Sequence, residues 1–287
     1  MKNCNNISAL LLLSLLGIQT AVAEEATKSS EDWLRSAQNP LAPVLSVPLT
    51  YTHHGGADNG DVSIGSIQPI IPVSLGEWNM INQLSLNFIG TPGVVTGISE
   101  LPEPFPGSGI AGLADTNFTS LFTPVSSGNI YWGVGPTFVF PTDTLLSDTE
   151  DRRSRELGSG KFSVGPALVF VVQPGPWSIG VKSRQIWSVV GNDSRNDVSQ
   201  LVVEPFANYN LDEGWYLTTN MDTVANWNSR SDNRWTVPVG GGVGKLFALD
   251  NYAVNTKLEG YYNAVKPDYA PDWSLNFTLQ LMLPDLY

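Results

Sequence analysis

A series of strand-like segments, in which apolar and polar residues alternate, constrains the fold of this chain more than any other feature. In the last segment the odd-numbered positions from Trp273 to Leu283 are all aromatic or leucine, and the even-numbered positions from Ser274 to Gln280 are all polar. Alternation with a period of two is typical of a sheet whose two faces meet different surroundings. Twelve such segments are predicted, at 43–53, 61–74, 77–91, 112–124, 129–142, 161–173, 176–190, 198–211, 214–228, 234–248, 252–266 and 272–284.

The connections between these segments alternate between short and long. Those after every second segment are short, at 75–76, 125–128, 174–175, 212–213 and 249–251. The others are mostly longer and more polar, such as the proline-rich 92–111, with Pro102, Pro104 and Pro106, and the charged 143–160. Short periplasmic turns and long extracellular loops are typical of closed antiparallel transmembrane β-barrels. The sequence therefore predicts an all-β barrel of about twelve strands over 43–287, with both termini on the periplasmic side.

Composition excludes two other classes of protein. The formal net charge is −12 and only 15% of residues are charged, whereas nucleic-acid binding needs clustered basic residues that displace counterions. After residue 23 no apolar run approaches the ~20 residues of a spanning helix, and residues 167–172 form about the longest. Composition alone leaves two interpretations, a soluble secreted β domain and a transmembrane barrel whose apolar content is hidden by alternation.

The N-terminus predicts export from the cytoplasm. Lys2 precedes an apolar stretch at 9–18, and Ala21-Val22-Ala23 fits the small-x-small pattern of a cleavage site. We therefore expect residues 1–23 to be a signal peptide and the mature chain to begin at Glu24. Cys4, the only cysteine, would be lost with it, which leaves no disulfide and no thiolate metal site. Residues 24–42 are predicted to form a polar periplasmic segment, with a short helix near Ser30.

Eight of the nine tryptophans lie near strand ends, where an amphipathic indole prefers the membrane–water interface. Trp177 and Trp187 share a face and lie ten residues apart. At ~3.3 Å per residue they are about 33 Å apart along the strand, or about 25 Å of membrane height at a tilt of ~40°. This agrees with the apolar band of such barrels. The predicted interface aromatics are Trp78, Trp132, Trp177, Trp187, Trp215, Trp227, Trp235 and Trp273.

The face opposite these tryptophans is expected to line the lumen. A charged group on the lipid face would cost about 2–4 kcal/mol at mid-membrane, so parity directs polar groups inward. The predicted pore-lining residues are Lys182, Arg184, Glu204, Asn220, Asp222, Lys257, Glu259 and Tyr261. Each of these residues could line a permeation path or form a structural ion pair inside the barrel, and the sequence favours neither role. Lys245 falls on the Trp235 face, near the periplasmic end where a lysine can snorkel, unless a bulge at 240–242 resets the parity.

Six stretches of the chain are distinctive: 66–72, 112–115, 132–136, 173–177, 235–245 and 261–269. In this order they resemble a family of outer-membrane barrels associated with the meta-cleavage pathway of phenol degradation, whose members are often mislabelled as neuromedin U. The likeness extends over nearly the whole mature chain, and the glycine-rich stretch 235–245 is the most specific. It implies a barrel in a Gram-negative outer membrane. The ending departs from the family pattern, because Asp285-Leu286-Tyr287 follows the Leu283-Pro284 at which such chains stop.

Catalytic, metal and cofactor chemistry is not expected. His53 and His54, the only histidines, are adjacent in a strand and point to opposite faces, so they cannot chelate a metal as a pair. A hydrolase would need a serine and a carboxylate beside a histidine, and Ser46 is seven residues from His53. The 58–61 stretch lacks the full ligand series of a calcium loop. The Gly240–Gly244 cluster lacks the Lys-Ser/Thr of a phosphate loop.

The sequence thus favours a passive outer-membrane channel without energy coupling, with lipid and a small-molecule solute as its partners. An aromatic or hydrophobic solute class is implied only by the family resemblance. Two alternatives remain. One is a structural or surface-interaction barrel whose long loops meet a partner, and the other, less favoured, is an outer-membrane hydrolase that uses His53 or His54.

Overall fold

The structure is a computed structural model that describes residues 28–102, 109–125, 128–145 and 157–283. The predicted signal peptide with Cys4, Pro104, Pro106, most of the 143–160 loop and Tyr287 lie outside the described residues. The strands are β1 (Leu45–Gly55), β2 (Val62–Ile67), β3 (Ile70–Ser74), β4 (Trp78–Thr91), β5 (Ile110–Leu113), β6 (Thr116–Pro124), β7 (Ile130–Phe140), β8 (Thr144–Leu145), β9 (Lys161–Val172), β10 (Trp177–Gly191), β11 (Ser199–Asn210), β12 (Trp215–Asn220), β13 (Thr223–Asn226), β14 (Trp235–Leu249), β15 (Tyr252–Val265) and β16 (Trp273–Leu283).

The sheet is a closed antiparallel barrel, because β1 pairs with β16 along its whole length, from Leu45 opposite Leu283 to Gly55 opposite Trp273. Three of the twelve crossings consist of two strands each, β2 with β3, β5 with β6, and β12 with β13. The break between β2 and β3 falls at Gln68-Pro69, where proline has no N–H to donate to the ladder. The two-residue β8 pairs with β5 outside the spanning set. The predicted twelve-stranded, closed, all-β fold is confirmed.

The barrel wall has an apolar outer face. Exposed side chains such as Leu217, Leu258, Leu275 and Phe277 alternate along their strands with inward polar residues. Closure leaves the described spanning strands without a free sheet edge, which lets strands cross a bilayer with their backbone groups paired. In a separate finding, no helix among the described residues is long and apolar enough to span a membrane.

The N-terminal segment is not simply a polar strip beside the barrel. Helix α1 (Ser30–Ala37) begins with a capping box, in which Ser29 Oγ accepts from Asp32 N and the Asp32 side chain accepts from Ser29 N. Trp33 and Leu34 are buried, at 2% and 5% exposure, and pack against Tyr216, Leu246 and other wall residues. Because the helix contacts β14, β15 and the turn before β12, it lies in the short-turn mouth of the barrel.

The long-loop end is narrowed by the connection after β4. Val95, Ile98 and Leu101 are buried in one apolar cluster with wall residues of β2, β4 and β5. Polar contacts hold the same loop from two sides: Asn226 Nδ2 donates to Pro102 O at 3.2 Å, and Asn59 Nδ2 donates to Val94 O at 2.8 Å. The first part of the loop therefore folds toward the barrel axis instead of extending into solvent.

Candidate functional site

The barrel encloses a cavity of about 370 Å³, lined by side chains from most of the spanning strands. At the short-turn end, the lower mouth, the cavity is bounded by residues from the stretch 36–44, which includes the end of α1. At the long-loop end, the upper mouth, it reaches Ser99, Glu100 and Pro102 of the inward-folded loop. The cavity is thus an internal chamber between two partly closed mouths.

One wall of the chamber carries an ion pair between neighbouring strands. Lys182 of β10 lies directly opposite Glu204 of β11, and the ammonium contacts the carboxylate. Arg184 and Asp222 line the same cavity nearby. Within the described residues, Arg184 Nε is buried without a hydrogen-bond partner. This wall of the chamber therefore carries charged groups of both signs.

A second ion pair lies on β15. Lys257 Nζ is 3.1 Å from Glu259 Oε2, and both residues line the cavity. Glu259 is only 3% exposed, and its Oε1 accepts from Thr218 Oγ1 at 3.3 Å and from Tyr261 OH at 3.0 Å. A buried carboxylate needs such partners to stay charged, so much of its binding capacity is used within the wall.

Tyr261 faces inward but does not line the cavity. The residue is 6% exposed, and its hydroxyl accepts a hydrogen bond from Asn220 N at 2.7 Å. Asn220 itself lines the cavity. Of the eight predicted pore-lining residues, seven border the chamber, and Tyr261 is packed in the wall beside it.

The chamber is amphipathic. Its apolar side is formed by side chains from β6, β9, β10 and β11: Leu121, Ala167, Val169, Ile186 and Phe206. Its polar side includes hydroxyls and amides from β1, β15 and β16: Thr50, Thr52, Asn255, Asn276 and Thr278. A molecule with an apolar body and a polar edge can contact both sides at once.

The lower mouth is closed by polar and apolar contacts of the N-terminal segment. Arg35 Nη2 donates to Gln173 O at 2.6 Å and to Asn129 Oδ1 at 3.2 Å, while Nη1 donates to Gly175 O at 3.1 Å. Leu41 is buried in the apolar side of the chamber. Gly133 makes room for it, because a Cβ there would lie 2.7 Å from Leu41 Cδ2.

The eight predicted interface tryptophans all lie at strand ends on the outward face. Seven of them are 38–48% exposed, and Trp235 is half-buried against Trp227, with ring centroids 5.7 Å apart. Lys245 lies on the same face near the short turns, with Nζ 4.6 Å from the Trp215 ring centroid. Its position is that of a snorkelling lysine. The only irregularity of β14 against β15 falls between Val237 and Pro238, so the 240–242 glycines do not reset its parity.

The histidines occupy different faces of β1. His53 points outward, where Nδ1 is 3.5 Å from Ser63 Oγ and Nε2 is 3.4 Å from Asp61 Oδ2. Ser46 is on the inner face and accepts from Gln280 Nε2 at 3.4 Å, so it is not the partner of His53. Ser63 lies in a ladder paired on both sides, with β1 and with β4. The described strands around Ser63 are thus joined to each other by continuous ladders.

Sequence reasoning missed the closures of the two mouths and the Ser63–His53–Asp61 contact. The signal for the lower closure was present, because Trp33 and Leu34 are adjacent apolar residues in an otherwise polar segment. The Ser63 contact follows from the β1–β2 register, in which His53 and Ser63 are directly opposed. That register is not readable from strand parity alone.

No family model matches the sequence, and no curated protein matches it. Among solved structures, the chain is similar to an outer membrane channel from Pseudomonas putida F1, at 14% identity and a TM-score of 0.58 over 84% of this chain and 95% of that one. Weaker likenesses include the CymD monoaromatic hydrocarbon channel (9% identity, TM-score 0.45, 89% and 93% covered). Another is the outer membrane phospholipase A of Escherichia coli, at 15% identity and a TM-score of 0.42, over 90% of this chain and 98% of that one. The first likeness shows the fold, that of a bacterial outer-membrane barrel.

Proposed function

We propose that this protein is a passive outer-membrane channel for small solutes that combine an apolar or aromatic body with a polar group. The observation that carries the proposal is the amphipathic chamber, in which an apolar wall around Phe206 faces hydroxyl and amide groups around Thr278. Its volume of about 370 Å³ falls at the lower end of the ~300–1,000 Å³ of ligand pockets. A small molecule fits, and a bulky oligosaccharide does not.

The charges of the chamber orient such a solute. Lys182 and Glu204 neutralise each other, so neither sign of charge dominates that wall. Arg184 and Asn220 line the same cavity as this pair. A hydroxyl or carboxylate of the solute binds to these polar side chains, while its apolar body packs against Phe206 and Val169. Binding of moderate strength suits permeation, since a solute must also leave.

Two likenesses support the solute class and the channel role. The Pseudomonas putida protein that shares the fold is described as an outer membrane channel. The motifs at 235–245 and 261–269 resemble barrels associated with phenol degradation, which points to phenolic or similar aromatic solutes. A twelve-stranded barrel is narrower than the porins of 16–18 strands, which agrees with a selective path more than with a general diffusion pore.

The decisive experiment compares conductance with solute uptake. Purified, refolded protein, verified by its heat-dependent gel shift, is placed in planar bilayers and in liposomes loaded for swelling assays. We expect small, well-resolved conductance steps and swelling with phenol or benzyl alcohol that exceeds swelling with a disaccharide. Conductance and swelling that both stay at the level of protein-free membranes would overturn the channel and favour a structural or surface-interaction barrel.

A further inference from the structure

The barrel wall is interrupted at the seam between β12/β13 and β14. The ladder pairs Thr218 with Gly242 and resumes with Val224 opposite Thr236. Between these pairs, residues 219–223 and 237–241 form no ladder pairs with each other, although the register is the same above and below. On its other side, β14 pairs with β15 through this same stretch. The interruption therefore belongs to one seam and not to β14 as a whole.

The local sequence explains why the ladder stops here. Pro238 has no N–H to donate across the seam. On the facing side, Asn220 N donates to Tyr261 OH at 2.7 Å and not to β14. The amide of Met221 faces the opposite neighbour, β11, where it donates to Pro205 O at 3.1 Å. The Asn220 amide is thus bound by a side chain instead of a ladder partner.

The interruption lies near the middle of the membrane. It begins four residues after Trp215 and ends four residues before Trp227, and these tryptophans lie at opposite ends of the strand pair. Backbone groups without ladder partners are costly in the hydrocarbon core, where no water replaces them. Side chains must therefore supply the hydrogen bonds that the ladder lacks at this depth.

Two side chains close the gap. On the inner side, Tyr261 extends across Gly240, and its hydroxyl bridges Asn220 N at 2.7 Å and Glu259 Oε1 at 3.0 Å. Glycine is needed at position 240, because a Cβ there would clash with Gly260 O and would lie 2.9 Å from Tyr261 Cδ1. On the outer side, Thr219 Oγ1 donates to Gly240 O at 2.8 Å. At this gap the seam is held by side-chain hydrogen bonds instead of ladder pairs, and side-chain rotation is faster than local unfolding of backbone structure.

We propose that this seam is a lateral portal, gated by Tyr261, through which an apolar solute passes between the chamber and the hydrocarbon core of the membrane. The proposal deepens the channel function above and rests on it. The chamber is narrowed axially at both mouths, by α1 below and by the 92–102 loop above. Around the gap, the exposed large apolar residues are Leu217, Val239 and Val243, so a solute that crosses the seam meets apolar side chains and lipid.

A disulfide across the seam tests the portal. A Cβ placed on Gly241 lies 3.6 Å from Thr219 Cβ, within the ~3.5–4.5 Å of disulfide-bonded cysteines. A chain that begins at Glu24 contains no other cysteine, so Thr219→Cys/Gly241→Cys gives a single defined cross-link. The new Cβ also lies 2.8 Å from Thr218 O, which requires a small shift of the strand. The reduced double variant therefore serves as its own control for strain.

The readout separates lateral from axial transfer. Uptake of the apolar dye N-phenyl-1-naphthylamine is followed in whole cells, and ion conductance is followed in planar bilayers. We expect oxidation of the double variant to lower dye uptake to the rate of cells without the protein, to leave conductance unchanged, and to be reversed by reduction. A matched cross-link on the intact neighbouring seam, Val243→Cys/Leu258→Cys, joins directly opposed residues and should leave dye uptake unchanged.

The outcomes distinguish the portal from the channel. Full dye uptake with the Thr219–Gly241 cross-link in place would overturn the portal and leave the channel standing. Absence of dye uptake in the unmodified protein, with conductance present, would also overturn the portal alone, whereas absence of both dye uptake and conductance would overturn the portal and the channel. Tyr261→Phe provides a test without cysteines: it removes one hydroxyl bridge, so the open fraction and the dye uptake should rise roughly threefold to tenfold. Unchanged uptake in Tyr261→Phe would contradict the gate.

Discussion

Arg35 of helix α1 and Gln173, just after β9, are joined by two hydrogen bonds that run in opposite directions. Arg35 Nη2 donates to Gln173 O at 2.6 Å, and Gln173 Nε2 donates to Arg35 O at 2.9 Å. The helix that closes the lower mouth is thus bound to the rim by a reciprocal pair, in addition to the burial of Trp33. Axial transfer must disrupt this pair or pass beside it.

Arg35→Ala should increase conductance through the lower mouth. Hydrogen bonds of a charged group contribute about 1.5–3 kcal/mol each, so removal of the guanidinium should raise the displaced fraction of the helix at least about tenfold. The measurement is open probability in planar bilayers. Arg230→Ala is the matched control, because Arg230 pairs with Asp232 in an exposed loop at the opposite end. Equal open probability in the Arg35 and Arg230 variants would contradict the closing role of α1.

Single substitutions in the Lys182–Glu204 pair should change ion selectivity in opposite directions. Removal of one member leaves the other charge unpaired at the chamber wall, so Lys182→Ala should favour cations and Glu204→Ala should favour anions. The double variant should return toward the selectivity of the unmodified channel. Reversal potentials in a salt gradient measure this. Lys245→Ala, which removes a lysine from the outer face, should have no effect, and unchanged reversal potentials in all variants would remove the pair from the path.

Leu279→Arg should destabilise the barrel much more than Leu249→Arg. Leu279 lies midway along β16 on the outer face, whereas Leu249 ends β14 at a short turn, and both are exposed apolar residues. An arginine costs about 2–4 kcal/mol at the bilayer midplane and ~0–1 near the interface. Reversible urea unfolding in lipid vesicles measures the difference in unfolding free energy. Similar losses in the two variants would contradict the assigned membrane depth.

Ester and phospholipid hydrolysis should remain at the background rate. Ser63 Oγ is 3.5 Å from His53 Nδ1, but a serine nucleophile also needs donors for the oxyanion, and the adjoining strands use their amides in pairing. Turnover of a chromogenic ester by unmodified protein, Ser63→Ala and His53→Ala should be equal. Turnover above background that both substitutions abolish would establish a hydrolase instead.

Much of the wall was predictable because side-chain direction in a strand is a local property. Successive residues of a strand point to opposite faces, so the order of residues around Lys257 and Leu258 already assigns one to the lumen and one to lipid. The same reasoning predicted Lys182, Glu204 and Asp222 on the inner side, where they border the chamber. The short helix near Ser30 was also predictable, since a capping box is a contact within four residues.

The contacts that close the chamber were beyond local reasoning. Arg35 reaches Gln173, which is 138 positions away, and the β1–β2 register that joins His53 to Ser63 depends on where each strand begins to pair. Tyr261 was predicted to line the pore, yet it is packed in the wall, because Gly240 on the neighbouring strand leaves space for its ring. Strand parity predicts that a side chain points inward, but it does not predict whether that side chain borders the cavity or packs against a neighbouring residue of the wall.

The sequence by itself determined the closed all-β fold, the two faces of its wall and the outer tryptophans, because each of these follows from a period of two and from the lengths of connections. The tertiary structure alone decided that α1 occupies the lower mouth, that the 92–102 loop narrows the upper one, and that the β12/β13–β14 seam lacks ladder pairs at mid-membrane. These features depend on contacts between residues that are far apart in the sequence and come together only when the barrel closes.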